Sequence, residues 1–218
     1  MGLIFILNNS CDEKDNDNIN PASITDNDGN VYTSVTIGTQ IWMVENLKTT
    51  KYSDGTSIPL VTEPTAWGNL TTPAYCWYNN NEATYKATYG ALYNWYTINT
   101  GKLCPTGWHV PTEAEWTKLT TYLGGTGVAG GKLKETGTAH WSSPNTGATN
   151  ESGFTALPGG DRTLDGSFNH ANSTGRWWSS TENEQFANGL LMIYNWASVD
   201  NLDEWKEMGF SVRCLRDN

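Results

Sequence analysis

The residues with the clearest chemistry in this 218-residue chain are its four cysteines, Cys11, Cys76, Cys104 and Cys214. No two of them form a Cys-x-x-Cys pair or a cluster with histidine, which argues against a structural zinc site. Cys104 stands just before a strongly capped helix, and Cys214 lies in an apolar segment near the C-terminus. We therefore expect a Cys104–Cys214 disulfide that ties the end of the chain to its middle, as in exported proteins. Cys76 is then a buried free thiol.

Few residues suggest catalysis. His109, Glu113 and Glu115 lie close together in the sequence, but Glu115 is explained as a helix-capping residue and Glu113 falls on a solvent face. No Ser/His/Asp set is evident. The Asp/Asn-rich segment 26–30 is interpreted as a turn, because it lacks the full calcium-binding loop with its terminal Glu. We predict no catalytic residue, no metal ligand and no cofactor.

A better candidate for function is an aromatic and acidic stretch near the C-terminus. The segment 190–199 alternates, and its odd-numbered side chains are mostly small or aliphatic, which predicts a strand with the odd face in the core. The even face and the acidic turn after it would then form a recognition surface. The alternative is a sheet buried on both faces. The predicted ligand-binding residues are Met192, Tyr194, Trp196, Ser198, Asp200, Asn201, Asp203, Glu204 and Trp205.

Composition and charge limit the possible partners. The chain has 22 Gly, 11 Trp and 10 Tyr with only 17% charged residues, which is typical of a loop-rich fold with short strands. Its net charge of -10 argues against nucleic acid and against anionic membrane surfaces, both of which need a basic face. The remaining partner classes are an unknown protein or a glycan.

The N-terminus has three parts. The apolar run in residues 1–11 is too short to span a bilayer. It stops before Cys11, which an acidic segment follows, and this order resembles a truncated bacterial lipoprotein signal region. Cys11 would be the lipidation site and the only membrane contact, which predicts an outer-membrane or cell-surface location. A disordered tail with an incidental cysteine is the alternative. Residues 12–23 are predicted as a flexible acidic tether, and residues 24–218 as one domain.

Short elements should position these residues. The clearest helix is predicted over 112–123, with Thr112 and Glu115 forming a capping box. Apolar periodicity predicts further helices over 87–98 and 128–135. A long loop is expected over 136–175, because Gly and Pro recur through it. Strands are predicted at 31–38, 40–44, 74–78, 177–181, 190–199 and 209–215.

Seven segments in order resemble one known family. They are DGNVYTSVTIGTQIWMVENLKTTKY, YCWYNN, YGALYNW, GKLCPTGWHVPTEAEW, GFTALPGG, WWSSTEN and GFSVRCLRD. Together they run from about Asp26 to Asp217 and are similar to the major paralogous domain family first named from Fibrobacter. Its members are typically secreted or surface proteins of Bacteroidetes and Fibrobacteres.

The segment VPTEAEW also resembles the formylglycine-generating-enzyme-like group. That resemblance implies an α+β, C-type-lectin-like fold with a small twisted antiparallel sheet, two main helices and much irregular loop. The chain is similar as well to the variable proteins of diversity-generating retroelements, which use this scaffold to bind ligands. In those proteins a C-terminal stretch is diversified, and here it would correspond to residues 182–208.

Three functions follow from these resemblances. The leading hypothesis is a non-enzymatic ligand-binding lipoprotein on the cell surface, with its binding patch in 182–208. The second is a formylglycine-generating-enzyme-like oxidoreductase, which would need a reactive C-terminal cysteine pair where this chain has only Cys214. The third is a structural cell-surface protein that assembles into a coat.

Overall fold

A computed structural model describes residues 23–217 of the chain. The predictions for the signal region 1–11, for lipidation of Cys11 and for the tether as far as residue 22 concern residues outside this range. Between residues 23 and 217 the chain forms thirteen strands and five α-helices. The fold is therefore α+β, as predicted.

Helices and strands alternate irregularly along the chain. The strands β1 to β13 are Ile24–Thr25, Val31–Tyr32, Ser34–Ile37, Gln40–Met43, Tyr75–Cys76, Leu92–Tyr93, Trp108–His109, Asp161–Arg162, Phe168–Asn169, Thr174–Asn183, Phe186–Ile193, Asp200–Trp205 and Leu215–Arg216. The helices α1 to α5 are Pro64–Gly68, Glu82–Tyr89, Trp95–Ile98, Glu113–Tyr122 and Thr126–Leu133.

The strands form small sheets with antiparallel pairing. One sheet has four strands in the order β3-β4-β13-β7, so the last strand of the chain lies between two strands from its first half. A second has three strands in the order β10-β11-β12. Two-stranded pairs join β1 to β2, β5 to β6, and β8 to β9. The predicted hairpin across Gly38 is confirmed as β3 and β4.

The helix predicted over 112–123 is confirmed as α4. The backbone N–H of Glu115 donates to Thr112 Oγ1 at 3.3 Å, and the N–H of Thr112 donates to Glu115 Oε2 at 2.8 Å. These two bonds satisfy donors that the first helical turn leaves unpaired. Trp116 and Leu119 then place the apolar face of the helix in the core.

The single helix predicted over 87–98 is wrong. The chain there forms the end of α2, the strand β6 and the four-residue α3. Gly90 ends α2 at φ +75°, and Asn94 starts α3 by accepting a bond from the N–H of Thr97. A Cβ on Gly90 would come within 2.6 Å of the carbonyl oxygen of Leu47, so the close approach of another loop fixes this break.

The C-terminal segment 208–215 runs through the centre of the molecule, and all of its residues are buried. It was predicted as one strand from 209, but only Leu215–Arg216 belongs to a regular ladder. The rest is held by bonds to scattered segments: Phe210 pairs with Tyr93, Met43 N donates to Cys214 O, and Leu47 N donates to Val212 O. The segment therefore connects parts of the chain that are far apart in sequence.

Arg213 in this segment is a buried cation. Its guanidinium donates to the carbonyl oxygen of Phe154 and, at 3.0 Å, to Asn46 Oδ1, and it lies 4.0 Å from the centre of the Phe154 ring. Burial lowers the pKa of Arg213 to about 9, because it removes the charge from water. The two acceptors and the Phe154 ring offset part of this cost.

The structure contains the predicted disulfide between Cys104 and Cys214. The two Cα atoms are 6.0 Å apart, and the residues are separated by 110 positions in the sequence. Both cysteines are buried, and both belong to the main hydrophobic cluster. The covalent link thus fixes the central C-terminal segment to the loop before β7.

Lys134, just after α5, is also fully buried. Its Nζ donates to the carbonyl oxygens of Thr146 at 3.0 Å, Ile193 at 3.2 Å and Trp196 at 2.7 Å, and lies 5.3 Å from the centre of the Trp141 ring. Burial lowers the pKa of Lys134 to about 8. All three donors of the ammonium group are used, so this side chain holds the turn after β11 in place.

Removal of the disulfide should destabilise the domain without changing its fold. We expect C104A/C214A to lose about 3 to 4 kcal/mol of unfolding free energy, because the bond closes a long loop in the unfolded chain. Urea denaturation would measure the loss. Reductant should bring the wild type to the stability of the variant, and a variant as stable as the oxidised wild type would contradict the prediction.

Replacement of Lys134 by Met should cost about 2 to 4 kcal/mol, because it leaves buried carbonyl oxygens without donors. Thermal and urea unfolding would measure this cost. The control is K118M, since Lys118 is exposed on α4, and it should stay within about 0.5 kcal/mol of the wild type. Equal stabilities of K134M and K118M would show that the Lys134 contacts contribute nothing.

His109 should make stability depend on pH. Burial alone would lower the pKa of His109, but hydrogen bonds with Asp217 at 2.6 Å and Glu115 at 3.0 Å raise it above its ordinary value. A raised pKa in the folded state means that the stabilisation is complete below the unfolded pKa of about 6.5 and is lost as the pH rises through the folded pKa. The stability difference between the wild type and H109Q should therefore be larger at about pH 6 than at about pH 9. A constant difference would contradict this.

Candidate functional site: the outer face of the C-terminal hairpin

The predicted ligand-binding residues fall on the β11–β12 hairpin and on the turn between its strands. Strand β10 leads through a two-residue turn at Glu184 into β11, which pairs with β12 from Phe186↔Trp205 to Leu191↔Asp200. Because β12 pairs only with β11 in this sheet, it is the edge strand. One side of the hairpin is therefore covered by β10, and the other lies at the margin of the sheet.

The predicted alternation over 190–199 is wrong in two respects. The strand ends at Ile193, and residues 194–199 form a turn. The even-numbered side chains of Leu190 and Met192 are buried beside Trp177, while Leu191 is half-buried. The physical reason is that Leu190 and Met192 belong to the hydrophobic cluster around Trp177, so that the core covers the face expected to be exposed. Met192 is consequently inaccessible to a ligand.

Tyr194, Trp196 and Ser198 lie in the turn, with different exposures. Tyr194 is half-buried and packs against the core, and Ser198 is half-buried. The side chain of Trp196 is 42% exposed. The turn packs closely on α5. Its backbone comes so near to Gly130 that a Cβ there would lie 2.1 Å from the Ser198 carbonyl oxygen.

Strand β12 presents its residues alternately to two sides. Leu202 packs against the main hydrophobic cluster, and Glu204 on the same side accepts a bond from Arg176 Nη1 at 3.3 Å. Asp200 shares this side by alternation but is exposed. Glu204 is thus engaged within the fold, whereas Asn201, Asp203 and Trp205 point to the other side and are exposed.

On β11 the same side carries the half-buried Phe186 and Asn188, and then Leu190, which is buried opposite Asn201. The register places Phe186 opposite Trp205 and Asn188 opposite Asp203. The two aromatic rings meet edge to face, with centroids 4.7 Å apart. We call this surface the hairpin face and define it by five residues, Phe186, Asn188, Asn201, Asp203 and Trp205.

The polar groups of the hairpin face are unused within the fold. Among residues 23–217, no hydrogen bond or ion pair involves the side chains of Asn188, Asn201 or Asp203. The Trp205 side chain is 41% exposed. An aromatic pair thus lies beside amide and carboxylate groups that are available to a ligand.

Lys206 fixes the open end of the β11–β12 hairpin to the body of the molecule. Its Nζ lies 2.6 Å from Glu182 Oε2 and 2.6 Å from the carbonyl oxygen of Glu184, and 4.7 Å from the centre of the Trp95 ring on α3. The backbone N–H of Trp95 also donates to the Lys206 carbonyl at 2.8 Å. The hairpin face is therefore held on a braced strand pair.

The nine predicted residues do not form one surface. Trp196 lies beyond one end of β12 and Trp205 at the other end, and five strand steps separate Asp200 from Trp205. At about 3.3 Å for each residue these two Cα atoms are about 17 Å apart. The prediction missed Phe186 and Asn188, although both lie within the stretch 182–208. Only the register between β11 and β12 places them beside Trp205 and Asp203.

The groups considered for catalysis are engaged in the fold. His109 and Glu115 bond to each other, and Cys214 is in the disulfide. Burial raises the pKa of the Cys76 thiol to about 12. In the part of the chain from 23 to 217, no group of three or more His, Cys, Asp or Glu residues is arranged to hold a metal ion. No helix in that part is long and apolar enough to cross a membrane.

Comparison with known proteins places the chain in a family. The family model described as the Fibrobacter succinogenes major domain matches residues 35–216. No curated protein and no solved structure matches the chain. The matched region includes both sheets with three or more strands, the disulfide and the hairpin face. The chain belongs to the Fibrobacter succinogenes major domain family.

Proposed function

We propose that this protein is a non-enzymatic ligand-binding module and that the hairpin face is its binding surface. The observation that carries the proposal is the combination, on one braced strand pair, of the exposed Trp205 ring, packed on the half-buried Phe186, with polar side chains that have no partner among residues 23–217. Buried polar groups normally find partners inside a fold, and exposed ones without partners are free to bind.

The chemistry of the hairpin face suits recognition. Trp and Phe give a large contact area at a small cost in side-chain entropy, and Trp is frequent among residues that dominate binding energies. Asn201 and Asn188 supply both donors and acceptors, and Asp203 supplies acceptors. Either a protein surface or a sugar ring could stack on Trp205 and bond to these groups. We propose one of these two ligand classes.

The rigidity of the surface supports the same function. The open end of the β11–β12 hairpin is fixed by Lys206, and the turn at its other end is held by Lys134. A surface that is already ordered loses less entropy on binding than a mobile loop. Ordered display of a small set of side chains is what a binding scaffold requires.

The proposal extends to fold class and location. The pairing of β4 with β13, the helices and the long irregular connections fit a C-type-lectin-like scaffold. All five residues of the hairpin face lie within 182–208, so a retroelement-diversified surface is compatible with this scaffold. The disulfide favours an oxidising compartment. We therefore propose an exported surface lipoprotein anchored through Cys11.

Thiol-based oxidation has less support. A reactive cysteine must be present as the thiolate, and the raised pKa keeps Cys76 protonated at neutral pH. Cys214 is bonded to Cys104 and is fully buried. These features favour binding over the oxidoreductase alternative.

The two exposed tryptophans provide a matched test. Labelled wild-type chain would be applied to a printed glycan array and to a phage library of displayed peptides, and every binder would be retested with W205A and W196A. Because Trp205 and Trp196 are 41% and 42% exposed, their loss should affect folding equally. We expect W205A to weaken binding by about tenfold or more and W196A to leave it unchanged.

D203N would be the second variant, since it keeps the shape of the side chain and removes its charge. Unfolding curves for all variants would show that the fold is intact. Unchanged binding by both W205A and D203N would contradict the assignment of the hairpin face. A stronger effect of W196A than of W205A would move the site to the turn after β11.

A further inference from the structure

A separate cleft lies beside the loop that contains Cys104. Its volume is about 720 Å³, within the range of about 300 to 1,000 Å³ usual for small-molecule sites. One wall is the outer face of the β3-β4-β13-β7 sheet, and the other is formed by the chain near β1 and by the loop around Cys104. It shares no lining residue with the hairpin face.

The sheet register places a cation beside an aromatic ring in this cleft. Arg216 on β13 lies directly opposite Trp108 on β7. Because side chains alternate along a strand and that of Leu215 is in the core, Arg216 points to the outer face. Thr36 and Ile41 on β3 and β4 form another pair on the same wall.

Arg216 supplies a positive charge to the cleft. Among residues 23–217, its guanidinium forms no hydrogen bond or ion pair. The other charged lining groups are engaged: Lys51 lies 3.3 Å from Asp28, and the Asp26 carboxylate accepts bonds from Asn30 and Tyr32. Among the described residues that line the cleft, Arg216 is therefore the one positive charge without an ion-pair partner.

The remaining lining groups limit the ligand class. The half-buried Trp108 offers an indole surface, and Ser34, Thr36 and Thr106 offer hydroxyls that make no side-chain hydrogen bond among the described residues. Hydroxyls that both donate and accept match the hydroxyls of a sugar, and an indole can cover the apolar face of a sugar ring. Arg216 would bind a carboxylate with two parallel bonds.

We propose that this cleft binds a short oligosaccharide that carries a uronic-acid carboxylate. The net charge of -10 opposes a long polyanion, whereas a ligand with few carboxylates can pair locally with Arg216. The carboxylate pairs with the guanidinium, the ring stacks on Trp108, and the hydroxyl-lined wall bonds to the neighbouring sugar. This site is independent of the proposed function of the hairpin face.

Calorimetric titration of the 218-residue chain would test the proposal. The probes are the trisaccharide of galacturonic acid, the neutral trisaccharide of galactose, and triglycine as a carboxylate without a sugar. We expect the acidic trisaccharide to bind about tenfold or more tightly than the other two, because only it uses both the charge and the hydroxyls. R216Q should remove that preference, and the charge-matched control K118Q should keep it.

T36W would fill the cleft from an exposed strand position and should abolish binding of the acidic trisaccharide. W205A should leave this binding unchanged, which separates the cleft from the hairpin face. Any of three results would overturn the proposal: no binding of the acidic trisaccharide, equal affinity for all three probes, or an unaltered preference in R216Q.

Discussion

The structure depends on the burial of its C-terminal segment. Residues 208–215 are buried throughout, and their backbone bonds to strands and loops from both halves of the chain. Such a segment must find partners for its polar groups inside the core, and the terminal nitrogens of Arg213 donate to the Phe154 carbonyl and to Asn46. The disulfide from Cys214 to Cys104 fixes the same segment covalently. Short sheets that would be marginal alone are joined through it into one domain.

The hairpin face is a by-product of this arrangement. After β10 the chain forms β11 and β12, whose inward side chains stay in the core, and it then enters the buried segment at Met208. Both ends of the hairpin are thus attached to the most constrained part of the fold. Changes at exposed positions such as Asn201 and Asp203 remove no internal bond, so the fold tolerates different side chains there.

Local patterns in the sequence predicted the parts that local chemistry determines. The capping box of Thr112 and Glu115 and the turn at Gly38 depend on neighbouring residues, and both are confirmed. The burial of Met192 cannot be predicted from alternation alone, because it depends on which face of β11 packs against Trp177 and the rest of that hydrophobic cluster. The place of Phe186 in the candidate site likewise depends on its pairing with Trp205 on the neighbouring strand. The alternation of residues within one strand gives no information about that pairing.

The position of β12 at the margin of its sheet has a consequence for self-association. Its outer edge carries backbone groups that another strand could pair with, which is a common route to aggregation. Asp200, Asp203 and Glu204 make this edge strongly acidic. A second copy approaching edge to edge would bring like charges together, and this repulsion opposes strand pairing between copies.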